Sequence, residues 1–523
     1  GNLSGPIWKK KSDDGSTRTV VGFRLSGQYW SQKDDDPPAL PVYQAKPDVI
    51  QRIQEHPLLV SNGNIVSAAE QLTQDSVNTM NYRPNENRRD IDLTGKLDFR
   101  LTDNVDLSVT GTFKDIQDQF TPTRPNQAAN GSGNWRLLNS DNNPTTYGRR
   151  YRGIARLRHR LGSSDSGTGD ASRVTISNAN YQLQFGFERG TGSTYDPRHE
   201  DRLFDYGYIG RFKFNELPVA GPNDSGMIVH QGNLIQFAGF EAGYVDASGQ
   251  TVIPNPQLNA YNEFALQDLN NPGAAFNSYL AQNGRVSAVY DDIWSGMHTN
   301  TGLVYNNFSK NENDIMTLTA TAGFDLRLGR SGTHSIQFGL LNEQRTDRNW
   351  GVSPIGLWTL ANQSVNQQFN GLDSLTVIGK FWDATFSPII GDSIDRYAYA
   401  LLSQDELGDD KFYRKVRESL GIPLTQYINS DELRPDQLSL SMFSARELND
   451  QGFVDYTGYT YDGKRLTGNV TFNDFFTSRD ADGVRDFPVA ALNPLYQAAF
   501  IKDKFTFNKM IFSLGLRVER FNL

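Results

Sequence analysis

Over residues 20–30, Val21, Phe23, Leu25, Gly27 and Tyr29 fall on one side of an extended chain, with Gly22, Arg24, Ser26 and Gln28 on the other. A repeat of two is the mark of a strand with one apolar face. It returns more cleanly at 91–101, where Ile91, Leu93, Gly95, Leu97, Phe99 and Leu101 alternate with Asp92, Thr94, Lys96, Asp98 and Arg100. Thr102, Asp103 and Asn104 then predict a tight turn into Val105, Leu107, Val109, Gly111 and Phe113, so the two segments read as a hairpin of strands about ten residues long. Further strands are predicted at 179–188 and 316–328, and, after a short connection at 330–333, on Ile336, Phe338 and Leu340. The same alternation predicts a strand through Phe204, Tyr206, Tyr208, Phe212 and Phe214, and others at 228–244, 466–476, 495–505 and 510–521. Helical spacing occurs at 48–55 and 404–420, read as short helices inside loops.

A soluble sandwich alternates in the same way, but its strands usually stop at about five or six residues. Here strands of about ten residues are separated by short turns in alternation with long polar excursions such as 114–149 and 343–465, the layout of a barrel that crosses a membrane obliquely. Aromatics near predicted strand ends (Tyr29 with Trp30, Phe113 with Phe120, Tyr206 with Tyr208) fit interfacial girdles. The fold class expected is therefore all-β, a transmembrane antiparallel β-barrel with long extracellular loops. No stretch of about eighteen apolar residues occurs, so crossing as helices is excluded. A mean hydropathy of −0.56 does not decide between barrel and soluble sheet, because a barrel strand puts only alternate residues on lipid.

Two blocks carry a resemblance to a known family. "AAFIKDKFTFNKMIFSLGLRVERF" (498–521) resembles a late barrel hairpin of TonB-dependent outer-membrane transporters. "SLSMFSARELNDQGFVDYTGYTYDGKRLTGNVTFNDFFT" (439–477), followed by "FPVAALNPLYQAAFIKDKF", is similar to the large Bacteroidetes-type TonB-dependent receptors that carry a carboxypeptidase-like regulatory domain, the Oar-like receptors. The opening "GNLSGPIWKKKSDDGSTRTVVGFRLSGQYW" is similar to their junction between plug and barrel. The resemblance implies that residues 1–19 are that junction or a first strand, and that 20–523 are barrel, incomplete at the C-terminal side. About thirteen to sixteen strands are counted where the family would have twenty-two. A secretion signal, TonB box and plug are absent from the sequence, so the chain is expected to be an internal piece of a larger protein.

Composition narrows the chemistry. With 51 Lys+Arg against 60 Asp+Glu, a formal charge of −9 and no Cys, the chain offers no basic groove for nucleic acid, no disulfide framework and no thiolate metal site. The histidines (His56, His159, His199, His230, His298 and His334) include no pair at ligand spacing, and no nucleophile motif occurs, so no catalytic residue is assigned and no enzyme activity is expected. Asp480, Asp482 and Asp486 surround Gly483 in an arrangement that can wrap oxygens around calcium, although a distal bidentate Glu is missing; a solvated turn is the plainer reading. Arg149, Arg150, Arg152, Arg156, Arg158 and Arg160 form the one strong charge cluster. On a strand, Arg152, Arg156, Arg158 and Arg160 share a face opposite Tyr151, Gly153, Ala155 and Leu157, pointing into a barrel lumen to meet an anionic ligand or the acidic side chains of a plug. A merely watery, charged wall is the plainer reading there too. Loop residues such as Trp135, Trp350, Trp358, Tyr397 and Tyr399 suit glycans or peptides, and equally suit packing of loop on loop.

The resemblance implies active import of a nutrient past a plug in the outer membrane of a Gram-negative bacterium, driven by the TonB–ExbB–ExbD complex, with outer-membrane lipid and a surface lipoprotein as further partners. A passive porin and a surface anchor for a partner protein are the alternatives.

Overall fold

The computed structural model describes residues 1–11, 15–56, 58–61, 64–119, 136–161, 174–208, 210–256, 304–328, 332–382, 387–507 and 510–522. Eleven strands form one large sheet: β1 Asn2–Lys11, β2 Thr17–Gln32, β3 Arg88–Arg100, β4 Val105–Gln119, β5 Thr145–Leu161, β6 Val174–Tyr195, β7 Phe308–Leu328, β8 Thr333–Val352, β9 Val454–Thr457, β10 Leu495–Phe507 and β11 Met510–Asn522. They pair antiparallel in chain order from β1 to β8, then β10 and β11, with β9 on the far end of β8 beyond β10. The all-β, antiparallel class read from the alternation is the one the chain adopts.

Strand direction sorts the connections. Residues 12–16, 101–104, 162–173, 329–332 and 508–509 join strands at one end, and 33–87, 120–144, 196–307 and 353–494 join them at the other. Several short joins are set by local chemistry: the Asn104 N–H donates to Thr102 Oγ1 (3.3 Å), and Gly332 takes a φ of +117° against the Thr506 carbonyl, where a Cβ would meet the oxygen at 2.6 Å.

Register matters more than strand count. Because side chains directly opposite each other lie on one face, the pairing lines up Val21, Phe99, Leu107, Leu157, Leu183, Ala320, Leu340, Ala499 and Val518 in one unbroken apolar row from β2 to β11. The next row, on the opposite face, reads Arg100, Asp106, Arg158, Gln182 and Thr321 across β3 to β7. Among the described residues none covers the apolar rows: Leu183, Phe185, Leu318 and Leu340 keep 44%, 50%, 51% and 61% of their surface exposed. On β7 this face stays apolar from Met316 to Leu326, roughly 30 Å of strand at about 3.3 Å per residue.

Beyond this belt, toward the long connections, the same face turns from exposed to buried. Phe308, Trp350 and Val352 pack into a core with Tyr456, Tyr459, Tyr461, Trp358, Phe412 and Phe443. The Trp350 indole N–H donates to the Tyr461 carbonyl at 3.0 Å, and the Lys310 ammonium lies 5.0 Å from the Trp350 ring and 5.1 Å from the Tyr459 ring. Rings of Tyr147, Tyr195, Phe308 and Trp350 follow one another across β5 to β8 at 5.2, 5.5 and 5.8 Å. Strands and long connections are thus one packed body, here termed wall and cap.

Short helices complete the cap. α1 Pro47–Glu55 buries Val49 and Ile53, and α2 Leu203–Tyr206 and α3 Leu357–Ser364 meet through Phe204 and Trp358. α4 Gln404–Leu407 and α5 Phe412–Leu420 occupy the segment read as helical, α5 ending where Gly421 takes a left-handed φ of 68°. α6 Ala445–Asp450 and α7 Asp474–Thr477 follow.

Three readings need correction. The strand expected through Phe204–Phe214 is broken: Phe204 to Tyr206 lie in α2, where Phe204 and Tyr208 sit four residues apart, and only Arg211–Pro222 is extended, paired with Ile228–Glu241 outside the large sheet. The Asn255 amide fixes that turn by donating to the carbonyls of Asp205 (2.7 Å) and Tyr208 (2.9 Å). Tyr206 and Tyr208 are therefore core residues and not a girdle. Residues 466–476 form no strand: the Asp474 carboxylate accepts from the backbone N–H (2.6 Å) and hydroxyl (2.8 Å) of Thr471, a local bond that competes with a ladder. Finally, 343–465 is not a polar excursion, since β8 runs on to Val352 and much of the rest is core. These changes bring the large sheet to eleven strands among the described residues, below the expected count. Phe120, Trp135 and His298 lie outside the described residues.

Trp350 joins wall to cap, so Trp350→Ala is expected to loosen the cap by about 3–5 kcal/mol. Limited proteolysis should then cut within 353–494 at lower denaturant while β1 to β4 stay protected.

Candidate functional site

β5 carries the densest charge of the wall. Its period of two sends Arg150, Arg152, Arg156, Arg158 and Arg160 to the polar face and Tyr151, Gly153, Ala155 and Leu157 to the apolar one. Arg150 thereby joins the four arginines expected from sequence, and Arg149 goes to the other side, 3.0 Å from Asp115.

Neighbouring strands answer these charges unequally. Glu188 of β6 lies 3.3 Å from Arg150 and 3.6 Å from Arg152, and Asp106 of β4 lies 2.9 Å from Arg160. Arg156 donates from Nε to the Gln184 amide oxygen at 2.8 Å. Arg158 stands opposite Asp106 and Gln182, yet neither it nor Arg156 has an ion pair among the described residues. Two hollows open here: about 810 Å³ beside Arg150, Arg152, Lys114 and Glu188, and about 430 Å³ beside Arg156, Arg158, Lys96 and Asp98. Exposed guanidinium forks with unspent donors suit carboxylate or phosphate oxygens.

The Asp480 turn sits in the cap. Asp480 Oδ1 accepts from the backbone N–H of Asp482 (2.9 Å) and Val484 (3.0 Å), with Gly483 at a φ of 75°. Its other oxygen receives the Lys411 ammonium at 2.5 Å, which also donates to the Tyr461 hydroxyl at 3.1 Å, and Lys415 lies 2.8 Å from Asp482. Lysine ammoniums are thus the counter-charges of Asp480 and Asp482; Asp486 makes none of these contacts. Burial pulls the Lys411 ammonium down, but its bonds to Asp480 and Tyr461 outweigh that and hold it above the ordinary lysine range. The bond to Lys415 holds Asp482 below the usual carboxylate range.

Sequence reading missed two sites of buried carboxylates, Asp34 with Glu86 and, elsewhere, Glu447. Asp34, Asp35 and Glu86 bring oxygens within 4.8 Å of one another, and Arg83 sits among them, 2.6 Å from Asp34 and 2.8 Å from Glu86. Nothing marks that cluster in the sequence beyond the acidic run at 34–36, because its closing residues stand some fifty positions on. The second is Glu447, in a capping box: Ser444 N–H donates to its carboxylate at 2.7 Å while its own N–H donates to Ser444 Oγ at 3.1 Å. That motif, S-A-R-E, was legible; its burial against the start of α5, where the N–H of Lys411 and of Phe412 approach the carboxylate at 3.3 and 3.4 Å, was not.

No known protein family and no curated protein matches the sequence. Among solved structures, the siderophore receptor PiuA from Acinetobacter baumannii aligns over 95% of this chain at 9% identity with a TM-score of 0.23. The chain spans about half of that receptor, 47% of its length.

Burial pushes the Glu447 carboxyl up to about 7 from an ordinary 4.5, against the backbone N–H of Ser444 that favours the charged form. Between those values the folded cap binds more protons than the unfolded chain. The contribution of Glu447 to stability is therefore full below about pH 4.5 and is lost as pH rises through about 7, by something on the order of 3 kcal/mol. Urea titration of cap tryptophan fluorescence should show a lower midpoint at pH 7.5 than at pH 4.5, and Glu447→Gln should flatten the difference.

Proposed function

We propose that this chain is the wall and cap of an outer-membrane uptake receptor, with its apolar face on lipid and its arginine-bearing face turned to the lumen. One observation carries the reading: the apolar row runs without a break from β2 to β11 and stays exposed among the described residues, while the opposite face is polar. An exposed apolar surface of that extent marks a contact with lipid or protein. Its height, its strand tilt-compatible length and the sorting of short and long connections to opposite ends support lipid. Backbone groups on the outer edges of β1 and β11 must also be paired before such a sheet crosses a bilayer.

The finer reading is active import of a nutrient past a plug, powered by TonB–ExbB–ExbD. The blocks at 439–477 and 498–521 support it, as does the polar face, where Arg156 and Arg158 would receive acidic groups of a plug or of an anionic cargo. The Bacteroidetes-type, Oar-like subclass rests on those blocks alone, as does a surface lipoprotein over the cap.

Two measurements test this. Leu183→Arg places a charge on the apolar face and should cost about 2–4 kcal/mol when unfolding is followed in lipid vesicles, whereas Thr319→Arg, on the polar face of β7 opposite Gln184 and Leu341, should cost little. Equal effects would exclude a lipid-facing belt. In planar bilayers, the protein as purified from its native membrane should stay closed; steady open-channel steps would replace the plugged receptor by a porin.

A further inference from the structure

Beyond the wall, the cap holds a second cleft, of about 650 Å³, between the hairpin formed by Phe369–Phe381 with Ile394–Leu401 and the segment 423–432. Tyr397, Tyr399 and Tyr427 line it. The rings of Phe369 and Tyr399 stack at 4.2 Å and 19°, Tyr427 lies 6.3 Å from Tyr399 at 23°, and the Arg417 guanidinium sits 5.6 Å from the Phe369 ring. Arg417 is itself anchored on the carbonyls of Val365, Tyr413 and Gln426, so the ring column rests on a fixed base.

Around these rings stand polar groups with unused capacity. The side chains of Arg396, Thr425, Gln426 and Glu432 line the cleft and have no side-chain partner among the described residues. Guanidinium, hydroxyl, amide and carboxylate together supply donors and acceptors with no net charge between Arg396 and Glu432. An extended peptide would need a regular strand edge to pair with. The hairpin lacks one, its register shifting between Phe369 and Leu372, Asp373 and Val377, and Val377 and Gly379. A ligand read by side chains alone, with an apolar face for the rings and hydroxyls for the polar rim, fits better.

We propose that this cleft binds a short, uncharged glycan, with a sugar face against the tyrosines and vicinal hydroxyls shared between Arg396 and Glu432. The volume lies in the range of small-ligand sites. The site belongs to the cap and does not depend on the transport reading, so binding without transport would leave it standing.

A printed glycan array probed with the full chain in detergent tests it, using wild type, Tyr397→Ala and Glu432→Gln. Lys9→Gln, exposed on β1 and outside both sites, serves as the control for folding and for charge, and Arg150→Gln reports separately on the wall. Expected is retention on neutral oligosaccharides sharing one sugar or linkage, reduced at least tenfold by Tyr397→Ala and by Glu432→Gln and unchanged in the control. No neutral glycan retained, or retention that both cleft variants leave intact, would overturn the site. Retention confined to acidic glycans and lost in Arg150→Gln would move glycan binding to the wall and overturn it equally.

Discussion

Everything in this molecule depends on one constraint: alternation held in register across the sheet. A strand that slipped by one residue would exchange its faces, placing Arg156 and Arg158 among Leu107, Leu183 and Phe185. Here the pairing carries one apolar row through β2 to β8, β10 and β11, with a single register shift in β6 between Ser177 and Asn180, and the two faces acquire separate chemistry. One becomes a surface that water does not suit, and the other collects charge.

That division continues beyond the belt with a change of partner. Phe308, Trp350 and Val352 lie on the same face as Met316 and Leu340, but further along the strands the chain itself covers them. The exposed apolar stripe thus becomes the floor of the cap, where Tyr456, Tyr459 and Tyr461 cover it. β7 and β8 run without interruption from one environment into the other.

Much of this was legible in the sequence, for a physical reason. Strands 91–101 and 105–113, 316–328 and 510–521 each carry their apolar side chains largely at one parity, so alternation alone identifies them. The face of Arg152, Arg156, Arg158 and Arg160 follows by counting. What was not legible came from contacts distant in sequence. The alternation of Phe204, Tyr206 and Tyr208 also satisfies a helical turn, and Asn255, some fifty residues away, decides between them. Lys411 pairs with Asp480 across 69 positions, which turns a pattern suited to a cation into a structural pin. No local signal announces either.

The central claim is that the uncovered apolar face meets lipid. Since the chain has no cysteine, single cysteines placed one at a time from Tyr181 to Glu188 can be labelled without background in intact membranes. The account requires a period of two: positions 183, 185 and 187 reacting with a membrane-soluble maleimide and shielded from a water-soluble one, positions 182, 184 and 186 the reverse. Uniform reaction with the water-soluble reagent at all positions would contradict it.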